Sequence, residues 1–357
     1  YKRQVTYYRS ALTAKTRAQS EFRVAHAIEL LHQACGLGKR YTEDQVWRYS
    51  RLSQYLRALA KYKAGYYLPE EVEEDLERSE IWGEEGEIVT NKELKDILEE
   101  AEKYAERAIG LKKRELKKMA SSRPKRRKRP FQFKTRELLI RALMNKGLCY
   151  IDKARCGCMG TITASQMSWR YFYEAAQELS RCLFFSTHLD YNRFTLNSVC
   201  ESFGYRRATP PERRKILKLV PWVLRNLGWT YARLGNFKTG YWLHKIALDF
   251  YVQLRTRAKA IQEKRKYFSA WLDVQTQLAE IGQQRSIPLA IWRLEKVAAS
   301  LHQVSLERLG PQMQRKRAHT LYRLATLKWH VREKQEALEY CERVLEFLEG
   351  DFSLSAE

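Results

Sequence analysis

The 357 residues carry 66 Lys and Arg against 42 Asp and Glu, a formal charge of +24, with 44% apolar and 12% aromatic residues. Nine Trp and 21 Tyr exclude a disordered chain, which lacks the aromatic surface needed to offset ordering entropy, and no window approaches the roughly eighteen consecutive apolar residues of a membrane-spanning helix. A folded chain of this charge is matched electrostatically to a polyanion, and nucleic acid is the commonest large one.

Only eight Pro and 16 Gly occur, and no stretch alternates apolar and polar residues between turn signals, so long helices are the expectation throughout. The chain begins at Tyr1, and its first twenty residues hold five bases and no acid. Tyr7 and Tyr8 and the helical run after them read as a first helix rather than as a targeting leader. His26 and His32 stand six residues apart and do not share a helical face, which points to structural or surface roles. Residues 42–63 show helical spacing clearly. Thr42 with Gln45 reads as a capping box, and Tyr49, Leu52, Leu56 and Leu59 form one apolar stripe with Arg51, Arg57 and Lys61 set opposite.

Two charged stretches follow. Residues 70–102 hold 15 acids and three bases, and residues 112–136 hold 13 bases and one acid, so that −12 and +12 cancel. The acidic stretch breaks at Trp82-Gly83-Glu84-Glu85-Gly86 and continues into a helix from about Asn91 to Lys118. The basic stretch ends in the segment from Pro124 through Lys125, Arg126, Arg127, Lys128 and Arg129 to Pro130, an extended loop bounded by prolines that also has nuclear-localisation character.

Seven Cys at irregular spacing point to reduced thiols in an intracellular protein. Cys156 and Cys158 are the one tight pair, and neither a CxxC pair nor a His at ligand spacing accompanies them, so buried free thiols and a solvent-facing loop are expected and no metal. Gly157-Cys158-Met159-Gly160 resembles no phosphate cradle. No HExxH, GxSxG, Walker-type loop or dinucleotide fingerprint occurs, and the chain reads as non-enzymatic with no cofactor.

Internal repetition is the most informative feature. Residues 224–250 resemble the tetratricopeptide repeat, with Leu227, Gly228 and Tyr231 in the first helix, Gly235-Asn236-Phe237 in the turn, and Gly240 and Ala247 in the second helix. Small residues there let two helices cross closely. A second unit runs over 321–345 with Leu324, Ala325, Ala337, Cys341 and Val344 in corresponding places and Lys328 where a Tyr is usual. Partial units appear at Ala290, Leu294 and Val297, at Ala175, Leu179 and Cys182, and at Ala101, Ala105 and Ala108. Their closing positions 108, 182, 247, 297 and 344 are spaced 74, 65, 50 and 47 apart, where a regular array gives about 34. The expected fold is all-α, an irregular tetratricopeptide-like helical-hairpin solenoid with long helices and inserted charged loops. Its expected organisation is N-terminal basic helices at 1–65, a charged insertion at 66–136, a helical core at 137–260 and C-terminal helices at 261–357.

Bases interleave with aromatics at Tyr7-Tyr8-Arg9, Trp47-Arg48-Tyr49, Lys61-Tyr62-Lys63 and Tyr205-Arg206-Arg207, a combination suited to phosphate contact and base stacking in RNA. Candidate RNA-binding residues are Lys39, Arg40, Arg48, Arg51, Arg57, Lys61 and Lys63, with Arg123 and Lys125 to Arg129 as a loop that orders on RNA.

Residues 36–65 resemble the N-terminal RNA-binding domain of the sixty-eight-kilodalton subunit of the signal recognition particle. Gly36-Leu37, Arg51-Leu52 and Leu56-Arg57 match its Gly-Leu and arginine-helix pattern, Lys125 to Arg129 match its basic loop, and Leu138, Leu139, Leu143, Met144, Tyr150 and the run from Glu174-Ala175-Ala176 to Cys182-Leu183 follow in its order. The usual Tyr-Cys is replaced by Tyr49-Ser50, and residues 66–111 stand as an insertion. The resemblance covers roughly residues 22–260 and implies a tetratricopeptide-like fold that binds the particle's RNA near a multi-branched junction, together with other subunits of the same ribonucleoprotein.

The expected function is therefore a non-catalytic RNA-binding scaffold of a ribonucleoprotein in co-translational protein targeting, cytoplasmic with nucleolar passage. A helical-repeat protein of a mitochondrial ribosome, bound to ribosomal RNA, is the alternative. A third reading is a tetratricopeptide module binding acidic peptide tails. That reading expects cations at the inner first-helix positions of 224–349, where Lys328 fits and Leu224, Leu227 and Tyr231 do not.

Overall fold

The computed structural model describes residues 25, 28–33, 42–64, 91–121, 129–183, 190–206, 209–302 and 311–353. Expectations for the first twenty residues, His26, Cys35, Lys39, Arg40, the Trp82–Gly86 break, Arg123, Lys125–Lys128 and Arg207 lie outside the described residues. Among the described residues every regular element is helical: α1 (Thr42–Lys63), α2 (Asn91–Ser121), α3 (Arg129–Arg155), α4 (Thr161–Cys182), a 3-10 turn (Tyr191–Phe194), α5 (Leu196–Arg206), α6 (Pro210–Arg233), α7 (Phe237–Arg257), α8 (Ile261–Gln283), α9 (Ile287–His302), α10 (Pro311–His330) and α11 (Lys334–Ser353). The fold is an all-α helical-hairpin solenoid. α1 packs on α2 and α3, α2 on α3, and α3 on α4. From there α4 leads to α6, and α6 to α11 pack each against the next.

The small-residue stripes form the seams. Ala101, Ala105 and Ala108 of α2, Ala175, Leu179 and Cys182 of α4, and Ala290, Leu294 and Val297 of α9 are all buried. At the α6–α7 crossing a Cβ on Gly240 would lie 2.8 Å from the Gly228 carbonyl oxygen and 3.0 Å from the Ala232 Cβ. Backbone meets backbone there, so only glycine permits the approach. The last unit departs from the expected pattern at its end: Ala337 is buried, whereas Cys341 is exposed.

Three hairpins share one turn. The amide of Cys158 donates to the Lys153 carbonyl at 2.8 Å, that of Asn236 to Tyr231 at 2.9 Å, and that of Glu333 to Lys328 at 3.0 Å. Each closes a helix through a left-handed residue, Gly157 at φ 71°, Gly235 at φ 86° and Arg332 at φ 67°. The α8–α9 turn is different: Gln284 stays right-handed and Ser286 Oγ accepts from the Leu289 amide at 3.4 Å.

One apolar core runs from Val46 through Phe133, Phe172, Leu224 and Phe250 to Leu278. It includes residues on both sides of the boundaries expected at 65, 136 and 260. Part of the charged insertion, helix α2, is wedged against both α1 and α3. Pro130, expected to close an extended loop, lies in the first turn of α3, where its missing amide costs no helical bond.

Candidate nucleic-acid interface

Helix α1 carries most of the described candidate cations, and its surroundings divide them. Leu52, Leu56 and Leu59 are buried as the stripe requires, but Arg57 and Lys61 are buried as well, because the side opposite the stripe meets α3. Arg57 Nε donates to Asp152 Oδ2 at 2.7 Å, and its Nη1 lies 3.4 Å from Asn145 Oδ1. Asn145 in turn donates to the Ser50 carbonyl at 3.2 Å. Lys61 Nζ stands 4.0 Å from Asp152 Oδ1, and burial lowers its pKa although Asp152 opposes the shift. The placement of Arg57 and Lys61 on a basic, solvent-facing side is thus corrected: their charge is used inside the fold. Arg51 is partly exposed, donates to Gln54 at 2.9 Å and lies 5.3 Å from the Trp47 ring centre. Lys63 pairs with Glu93 at 2.8 Å. Arg48 is half-buried and also has an interaction partner, and Arg129 opens α3.

The acidic half of α2 is consumed in the same region. Glu102 accepts from Tyr150 Oη at 2.5 Å and Lys153 Nζ at 2.7 Å. Burial would raise its pKa, yet these donors and the charge of Lys153 and Lys146 hold it below the usual value. Glu106 pairs with Lys146, and Glu100 lies 3.4 Å from His32. In α3 and α4, Glu137 takes Lys215 at 3.0 Å and Glu178 takes Arg136 and Arg181.

Cations meet exposed rings, in two cases at helical spacing. Lys245 Nζ lies 6.0 Å from the centre of Trp242, Lys296 Nζ 3.8 Å from Trp292, and Lys334 Nζ 5.5 Å from Trp329. Trp242, Trp292 and Trp329 are all exposed. Adjacent-residue triplets did not reveal these pairs. Trp followed three or four residues later by Lys marks the first two, since those offsets share a helical face, whereas Trp329 and Lys334 meet across the α10–α11 turn. In the Trp47-Arg48-Tyr49 triplet, Trp47 is covered by Arg51, and Tyr49 stacks on Tyr104 at 5.8 Å.

The first helices of the hairpins, α3, α6, α8 and α10, line an inner groove of about 500 Å³. Trp229 and Arg233 stand at its wall with the guanidinium 4.7 Å from the ring centre. Asp273 receives Arg225 Nη2 at 3.2 Å and Lys316 Nζ at 2.8 Å. Arg225 Nε also donates to Gln277 Oε1 at 3.0 Å, which lies 3.2 Å from His244 Nε2. His244 is buried beneath the groove with Nδ1 2.8 Å from the Gly240 carbonyl, and burial pushes its pKa down to about 4. The inner positions are thus Arg225, Trp229, Arg233 and Lys316, one or two residues on from the expected Leu224, Leu227 and Tyr231. Lys328 is not a groove cation: it is buried and held by Glu295 at 3.4 Å, Glu333 at 2.6 Å and Glu336 at 2.7 Å.

The six described cysteines are free thiols. Burial pushes Cys149 and Cys156 up to about 11, which keeps both protonated and poorly nucleophilic. Cys158 is half-buried in the turn after α3. Among the described residues no group of three or more His, Cys, Asp or Glu is placed to hold a metal ion, and no helix is long and apolar enough to cross a membrane.

No family model and no curated protein matches the chain. Among solved structures, BtubC (BKLC) from P. vanneervenii is similar at 10% identity with a TM-score of 0.49, covering 94% of this chain and 92% of that one. The nuclear import adaptor Nro1 of S. pombe is similar at 13% identity with a TM-score of 0.31, covering 98% and 95%. A circular tandem repeat protein is similar at 13% identity with a TM-score of 0.23, covering 95% and 80%. At these scores none of them carries a function to this chain.

Proposed function

We propose that the protein is a non-catalytic scaffold that binds structured RNA within a ribonucleoprotein. Its most concrete form is the signal recognition particle subunit that the resemblance of residues 36–65 implies, cytoplasmic with nucleolar passage. The observation that supports this reading is how the charge is distributed. Buried and half-buried acids such as Asp152, Glu102, Glu137 and Glu178 are taken up by neighbouring cations. The cations of α6, α7 and α9 stand exposed beside Trp rings instead. A chain of +24 built this way presents its excess on the folded helices, and the basic run Lys125 to Arg129 adds a second cationic segment. Arg51 and Lys63 remain as α1 contacts, whereas Arg57 and Lys61 do not.

If about six cations meet duplex phosphates, the affinity for structured RNA falls with salt at a log–log slope near −5. Filter binding over several salt concentrations measures it. A flat response, or equal affinity for heparin and structured RNA, rules the reading out. Arg233, exposed at the groove wall beside Trp229, favours a second reading, an acidic peptide bound along α6, α8 and α10. A poly-glutamate competitor in the same assay separates the two: RNA release at low concentrations of peptide favours the groove.

A further inference from the structure

The second helices of two consecutive hairpins carry the same exposed residue at the same position. Gly240 and Ala290 are the fourth residues of α7 and α9 and both are buried in the seams. Two residues later stand Trp242, 40% exposed, and Trp292, 47% exposed. A tryptophan that size on a helix surface forgoes much of its burial energy, and here it does so twice in register. Arg293 links the two helices, with Cζ 5.7 Å from the Trp292 ring centre and 5.4 Å from that of Tyr241, the residue before Trp242. Arg293 is fixed: Nη2 donates to Tyr241 Oη at 2.6 Å and Nη1 to Gln275 Oε1 at 2.9 Å. Lys245 and Lys296 flank the two indoles. Beside Lys296, Glu295 is turned to Lys328 on α10 at 3.4 Å, while Asp249 stands exposed one turn from Lys245.

We infer that Trp242, Tyr241, Arg293 and Trp292 form a stacking row for unpaired nucleotides of RNA, with Lys245 and Lys296 meeting the flanking phosphates. The inference rests on the RNA-binding reading and specifies it. Ring faces and a planar guanidinium suit exposed bases whatever their identity, and ammonium groups beside them suit the backbone. Paired bases cannot reach such a row, so the ligand is a single-stranded loop or linker rather than a duplex.

The test uses the full chain with a labelled oligouridine and a fully paired RNA hairpin, each titrated by fluorescence anisotropy. The W242A/W292A variant is expected to lose about tenfold or more in oligouridine affinity while binding the hairpin as the wild type does, and W242F/W292F to restore most of the loss. Both rings are exposed, so an unchanged melting temperature accompanies the effect. Equal oligouridine binding by W242A/W292A and wild type overturns the row. Wild-type binding to the hairpin alone overturns the row but leaves the RNA reading standing. Wild-type binding to neither RNA overturns both.

Discussion

The region of α1 to α3 and the region of α6 to α9 are the same architecture held together in two ways. In the first, helices are joined through charge: Arg57, Lys61, Asp152 and Asn145 form one buried cluster, and Glu102, Tyr150 and Lys153 another. In the second, α6 and α7 close on missing side chains, Gly228 against Gly240, and Lys245 and Lys296 are left at the surface beside Trp rings. Buried ion pairs fix which surfaces meet at a cost in desolvation, whereas small-residue seams cost nothing of the kind and free the cations for other contacts. A residue count of charge therefore says little about what is available to a ligand.

The contrast breaks most sharply at Asp152. In D152A, Arg57 and Lys61 stay buried without their carboxylate, and a loss of about 3–5 kcal/mol in urea unfolding is expected. A loss under about 1 kcal/mol would mean that the cluster is satisfied by other groups.

Acid titration sharpens the comparison next, because the two regions respond in different windows. Burial would raise the Asp152 pKa, but Arg57, Lys61 and Arg155 hold it below its usual 3.8, and Glu102 is held below 4.5 in a similar way. Their contribution is complete above the ordinary carboxylate range and is lost only as the pH falls below it. His244 is held at about 4 against an ordinary 6.5. The unfolded chain takes up that proton first, so this contribution is complete above pH 6.5 and is lost as the pH falls towards 4, by about 3 kcal/mol. Chemical unfolding from pH 7 to 4 should show a steeper slope in the wild type than in H244Q, where His319, also lowered by burial, remains, and an unchanged slope in H244Q places its origin elsewhere.

The smallest effect separates two copies of one turn. G235A forces a side chain into φ 86° and is expected to cost about 1 kcal/mol, whereas R332G relieves the strain at φ 67° and is expected to gain up to about 1 kcal/mol. Thermal melting distinguishes the signs, and equal shifts in one direction would contradict the shared geometry.

What was legible in the sequence follows the range of each interaction. Ala101, Ala105 and Ala108 or Gly228 and Gly240 announce a helix seam because the signal is local spacing. The fate of Arg57 was not legible, since Asp152 lies 95 residues away and only the packing of α1 on α3 brings them together. The groove register was shifted by one or two positions for a related reason: Leu224 and Leu227 belong to the core, and Arg225 and Trp229 line the groove. The cation and ring pairs at Trp242 and Trp292 were readable at helical offsets, but reading adjacent residues passed over them.

Asp273 has a mechanical consequence. One carboxylate on α8 grips Arg225 from α6 and Lys316 from α10, a rivet through three successive hairpins. Solenoids flex by small rotations between units, and here any rotation that widens the inner face must pull one of those cations off its anion. The curvature of this stretch is thereby stiffened against opening, and its compliance becomes sensitive to ionic strength.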